Sequence, residues 1–118
     1  MHLKKWSLIY PGDGSKPTLA PIYDVLSTVP YIPADAMALS LGAERSFKAL
    51  AAPRWRAFAN RARLPEPAVL KAVVETIALV NEHWWHLPER DVIPARVLER
   101  IDEHVKVMTP ILNSCAEK

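Results

Sequence analysis

The side chains of this 118-residue sequence that could do chemistry fall into a few groups. His83 and His86 flank Trp84-Trp85 at a spacing of three, which on a helix would bring two imidazoles together beside Glu82, as a transition-metal site requires. The pair offers two ligands and no obvious third, and a histidine near a helix C-terminus is favoured by the helix dipole without any metal. Arg45, Lys48, Arg54, Arg56, Arg61 and Arg63 form a basic run with Trp55 and Phe58 interleaved, a pattern that suits nucleic acid. Helical geometry argues otherwise. Arg54 and Arg61 border one side of a Trp55/Phe58/Ala62 stripe and Arg56 and Arg63 the other, so their stems should run along the edges of a buried face. Ser27, Thr28 and Cys115 are nucleophile types with no accompanying His–Asp arrangement, and no Gly-rich phosphate loop, Cys-x-x-Cys pair or His-Glu-x-x-His is present. Asp24 follows a short apolar run, where a carboxylate commonly caps a turn, and His2, Lys4 and Lys5 make a basic N-terminal end. His104 lies at the edge of the apolar stripe of the last helix and reads as a packing or a surface histidine.

The elements that must position these groups follow from hydrophobic spacing. Residues 6–10 and 18–23 have strand composition, and the turn-rich Pro11 to Pro17 between them implies a hairpin with a long loop. Pro21 has no N–H, so the second strand should be short or should turn that position to an open edge. Residues 24–42 carry Pro30 and Pro33 and no sustained period, which predicts an irregular segment with at most a helical turn or strand near 35–41. Pro53 opens an amphipathic helix over 52–63, ended by Leu64-Pro65. Pro67 opens a second, in which Val69, Leu70, Val73, Val74, Ile77, Val80 and Trp84 share about 140° of arc. His86-Leu87-Pro88 stops it. A third runs from Pro94 to Pro110 with Val97, Leu98, Ile101, Val105 and Met108 on one face. The fold class is therefore mainly α, an N-terminal β-hairpin followed by a three-helix core. One domain spans 1–118, divided into a hairpin segment (1–28), an irregular connection (29–51) and helices (52–113).

Composition agrees. Half the residues are apolar, 24% are charged and the formal net charge is +2, which suits a globular domain and excludes wholesale disorder. Eleven prolines against three glycines stiffen the connections. A single cysteine excludes an internal disulfide, and no uncharged run exceeds ten residues, far short of the roughly 20 that span a bilayer. The apolar run after Lys4-Lys5 is too short for a signal peptide, so a cytoplasmic location with no membrane partner is expected.

Read together, His2-Leu3-Lys4-Lys5, the hairpin, and Leu19-Ala20-Pro21-Ile22-Tyr23-Asp24-Val25-Leu26-Ser27 resemble the HipA-like serine/threonine kinases, the toxins of a bacterial toxin–antitoxin family. That family has a catalytic-loop motif Asp-x-His-x-Lys-Asn ahead of a β-hairpin, followed by Leu-Ala-Pro-x-Tyr-Asp-x-x-Ser. The second stretch matches at every specified position, and Ala38-Leu39-Ser40-Leu41-Gly42 and the helical tail are also similar. The resemblance implies ATP and Mg²⁺ as family cofactors, with Asp24 at the metal-ligand position and His2 and Lys4 at retained catalytic-loop positions.

The departures predict a loss of activity. The family's proton-accepting aspartate would stand immediately before Met1, and the family's metal-binding asparagine corresponds to Lys5, whose ammonium has no acceptor for Mg²⁺. A cation about 4 Å from the metal would repel it by roughly 4 kcal/mol per unit of metal charge at an effective dielectric near 20. The Gly-rich loop and lysine that clamp nucleotide in the family have no counterpart in the 118 residues. The expectation is a kinase-derived domain with no catalysis or cofactor of its own. The alternative is an interaction module docking on a kinase fragment, an antitoxin or its own copy, and a basic nucleic-acid-binding helix is a more distant third.

Overall fold

The computed structural model describes residues 6–23, 25–32 and 36–116. The hairpin is present, but its ladder is much shorter than the strand-like composition: β1 (Leu8–Ile9) pairs antiparallel with β2 (Thr18–Leu19), Leu8 facing Leu19 and Ile9 facing Thr18. Prolines at 17 and 21 bracket β2, and Pro11 follows β1 closely, so each strand is cut off where a proline enters. In the connecting loop the Asp13 carboxylate accepts the Ser15 N–H at 2.9 Å, and Gly14 takes φ 77°, a conformation that glycine adopts without penalty.

Within the expected irregular stretch a tight reversal bridges Leu41 and Glu44, with Gly42 and Ala43 both at positive φ. That two-residue turn matches strand twist, and Gly42 suits it where Ala43 does not. No helix forms among the described residues of 35–41, and a 3₁₀ turn at Phe47–Ala49 appears within the segment expected to be irregular.

The three helices stand where the spacing put them: α1 (Ala52–Ala62), α2 (Glu66–His83) and α3 (Ala95–Asn113), with 3₁₀ turns at Trp84–His86 and Pro88–Val92 joining the last two. α1 packs on α2 through Ala59, which is fully buried and lets the two backbones approach closely. α1 ends in a left-handed Arg63, whose N–H reaches the Asn60 carbonyl while the Leu64 N–H returns to Ala59 at 2.9 Å. Glycine usually fills that position. Ile77 of α2 and Met108 of α3 are buried between their helices, and their neighbours along both stripes are half-buried.

The third helix does not stop at Pro110. It continues to Asn113 and then a 3₁₀ turn, Ser114–Ala116, that buries Cys115. A proline inside a helix costs roughly 3 kcal/mol, because Pro110 has no N–H to give the carbonyl four residues back. In return, the end of the chain packs on α1 and α2: the Ser114 hydroxyl accepts the Ala52 N–H at 3.3 Å and donates to the Ile111 carbonyl at 2.6 Å. The C-terminal turn thereby caps α1 from a distance in sequence of 62 residues.

The hairpin and the segment after it are different. Leu8, Ile9, Tyr10, Leu19, Tyr23 and Leu26 are all at least half exposed. The Cα radius of gyration is 16.4 Å, against about 13.5 Å for a compact chain of this length.

Candidate functional site

The hairpin is the scaffold of the motif residues. Its pairing continues past the ladder with the Ala20 N–H donating to the Ser7 carbonyl at 2.9 Å. The chain entering at Trp6 and the chain leaving through Pro21 to Tyr23 therefore meet at one end, opposite the Pro11–Pro17 loop. His2, Lys4 and Lys5 precede that end in sequence and Asp24 follows it, and all four lie outside the described residues. By chemistry alone, Asp24 offers a carboxylate and Lys5 an ammonium, which has no acceptor for a metal ion.

The remaining candidates resolve into structural roles. His83 and His86 are exposed, and among the described residues no three His, Cys, Asp or Glu side chains lie close enough together to hold a metal ion. His104 is half-buried with Phe47 edge-on at 5.0 Å, and burial pushes its pKa below the ordinary 6.5. The Cys115 thiol is pushed up by burial, which makes it a poor nucleophile. The arginines are partly committed to their own chain. Arg54 donates to the Gly42 carbonyl at 2.8 Å, Arg45 to the Met37 carbonyl at 2.8 Å, and Arg56 lies 4.0 Å from Glu66. They fasten residues 37–45 onto α1 and brace the α1–α2 corner, where Asn60 also donates to Glu66 at 2.6 Å.

The stripe they border is only half covered. Trp55 donates its indole N–H to the Leu50 carbonyl at 2.9 Å and meets Phe58 edge-on at 6.1 Å. Together with Val69, Val73, Ile77 and Leu112 these rings line an open cavity of about 440 Å³ that is almost wholly apolar. The one hydroxyl in its lining, Thr76, donates to the Ala72 carbonyl at 2.7 Å, which leaves little to orient a reacting molecule.

Spacing alone missed a cluster at the turn between α2 and α3. Arg90 makes a two-pronged ion pair with Asp102, at 2.8 and 2.9 Å, and its guanidinium lies 4.8 Å from the Trp84 ring and 5.3 Å from Trp85. Trp84 donates to the same carboxylate at 2.7 Å. The Arg90 hydrogen bonds, aided by that of Trp84, hold the Asp102 carboxyl below the usual range. All of its polar partners are satisfied within the chain, so the cluster is a clamp on the α2–α3 connection. The sequence carried no signal for it, because Trp84 of the 3₁₀ turn and Asp102 of α3 face each other only once the connection is formed. A second tie crosses the same helices, where Asn81 donates to the Thr109 hydroxyl at 3.2 Å while that hydroxyl donates to the Val105 carbonyl at 2.8 Å.

The sequence profile of the HipA-like C-terminal domain matches residues 1–84, which include the hairpin, the Leu-Ala-Pro-Ile-Tyr-Asp stretch, α1 and α2. The chain belongs to that family. It is also similar to a Sinorhizobium fredii protein named "Putative kinase Y4dM", 38% identical over 105 residues that cover 88% of this chain and 25% of that protein. A second protein of the same organism, "Putative kinase Y4mE", is 32% identical over 77 residues, 64% of this chain and 18% of that protein. The HipA-like chain thus spans about a quarter or less of the length of these curated relatives. No solved structure matches it. No helix among the described residues is long and apolar enough to cross a membrane.

Proposed function

We propose that this HipA-like domain is the metal-loop segment of a serine/threonine kinase of toxin–antitoxin type, and that the 118-residue chain by itself does not transfer phosphate. The observation that carries the kinase-derived part is the complete Leu-Ala-Pro-x-Tyr-Asp-x-x-Ser match, carried from β2 onward in a chain whose family and relatives are kinase-related. Phosphoryl transfer depends on positioning nucleotide, metal and base together. Within these residues Asp24 is the one family ligand retained, Lys5 opposes a second metal, and no nucleotide clamp is present.

An amide NMR titration of the chain with Mg²⁺ and ATP, beside an Asp24→Ala variant, tests this. The expected result is the absence of saturable shifts at Lys4, Lys5 and Asp24. Saturable shifts that vanish in the variant would show a working nucleotide–metal site and overturn the proposal of inactivity.

A second reading, an interaction module, is favoured by one specific observation, the apolar exposure of the hairpin and the segment that follows it. A kinase fragment, an antitoxin or a second copy are the partners it admits.

A further inference from the structure

The two edges of the hairpin differ in kind. Antiparallel ladders alternate, so the Ser7–Ala20 and Ile9–Thr18 pairs direct their N–H and C=O groups at each other, and those of Leu8 and Leu19 point outward. Along the β2 edge the outward positions are Pro17, Leu19 and Pro21, and the two prolines have no N–H to offer. Along the β1 edge they are Trp6, Leu8 and Tyr10, each with a donor and an acceptor. Among the described residues the sheet has these two strands, so one edge is closed to strand addition and the other is unpaired there.

The same alternation sorts the side chains. Trp6, Leu8 and Tyr10 share a face with Leu19, and all four are between 44% and 73% exposed. A two-stranded hairpin is marginal in water unless a third strand or a packed layer supports it. The chain has 8806 Å² of accessible surface, where a compact monomer of 13.2 kDa has about 6,400 Å², so much of its surface is uncovered, and the apolar face of the hairpin is part of it.

We propose that the β1 edge docks the polypeptide that fills the other three quarters of the relatives' length, which adds a strand alongside Trp6, Leu8 and Tyr10 and covers their apolar face. The identity of this occupant rests on the kinase-derived reading. A second copy fits less well: edge-to-edge pairing of two hairpins would lengthen the sheet but leave the apolar face open, whereas a larger body covers both. Main-chain bonds along the edge supply affinity and the alternate side chains supply fit, as in other strand additions.

The test replaces the matched quarter of Y4dM by this chain and compares hydrogen exchange in the chimera and in the 118-residue chain. The Leu8 and Tyr10 amides should exchange almost freely in the short chain and at least about a hundredfold more slowly in the chimera. Leu8→Pro removes an outward N–H and no bond of the hairpin, so it should abolish that protection at Tyr10 in the chimera, while Leu8→Ala retains most of it. If the chimera does not fold, the aligned amides of intact Y4dM give the same readout. Fast exchange in the folded chimera, or in intact Y4dM where that is the readout, would overturn the proposal. So would protection already present in the short chain, whether concentration-dependent, which means a second copy, or not, which means the hairpin is covered by its own helices. The Mg²⁺–ATP titration judges the kinase-derived inactivity separately, so the two can fail independently.

Discussion

The helical region from Phe47 to Ala116 and the arm from Trp6 to Ile32 are built on opposite terms. In the helices, apolar side chains at spacings of three and four meet across α1, α2 and α3, and polar groups find partners inside the chain, as Arg90 finds Asp102 and Asn81 finds Thr109. In the arm, two short strands pair with each other while their aromatic and aliphatic side chains face water. The family motif lies on the arm. The helical part packs on itself, whereas the part that carries the family motif leaves its apolar side chains exposed.

The comparison can be broken most forcefully in the core. Ile77→Ala should lower unfolding stability by about 2–5 kcal/mol, because Ile77 is only 6% exposed and its removal leaves a cavity between helices. Leu8→Ala in the same chain should change it by less than about 0.5 kcal/mol, and equal costs in urea melts would erase the distinction. Ala59→Leu should cost about 1–3 kcal/mol by forcing α1 from α2, measured the same way.

Acid should act on the helices at two groups. The Asp102 carboxyl is held below its ordinary range in the folded chain, so its contribution is present above the ordinary carboxylate pKa and lost as pH falls through the lower folded value. His104 is lowered by burial, so folding favours its neutral form, and that contribution is whole above 6.5 and lost as pH falls from there through its folded value. Urea midpoints followed against pH should flatten below the carboxylate range in Asp102→Asn and just below 6.5 in His104→Gln. Curves that coincide with the parent would remove these groups from the account. The smallest effect is a gain: Arg63→Gly should stabilise by about 0.5–1 kcal/mol, since the residue closes α1 at φ 56° where a side chain is strained.

These two regions were also unequally legible in the sequence. The helices announced themselves because their apolar period is local and their prolines sit at first turns, so Ala52–Ala62 and Glu66–His83 fall within a residue or so of the spacing. Pro110 misled because its cost is local while the reward, burying Cys115 against α2, comes from residues distant in sequence. The Arg90–Asp102–Trp84 clamp was hidden for the same reason, since its members are brought together by a turn that no period encodes. The motif residues were legible as a motif only: Asp24, Lys5, Lys4 and His2 were named by their pattern, and they lie outside the described residues. Strand composition over 6–10 and 18–23 overstated the ladder, because a strand with no third partner among the described residues and prolines at its ends has little to hold it.

Native-state hydrogen exchange of the 118-residue chain tests most directly whether one half stands alone and the other does not. The account predicts that core amides of α1, α2 and α3 exchange only through global unfolding, with protection that tracks urea, while amides from Ser7 to Ile32 exchange within a few fold of the free-chain rate. Protection of the arm equal to that of the helices would contradict it, and would mean that the motif-bearing segment folds with its own core and needs no other polypeptide.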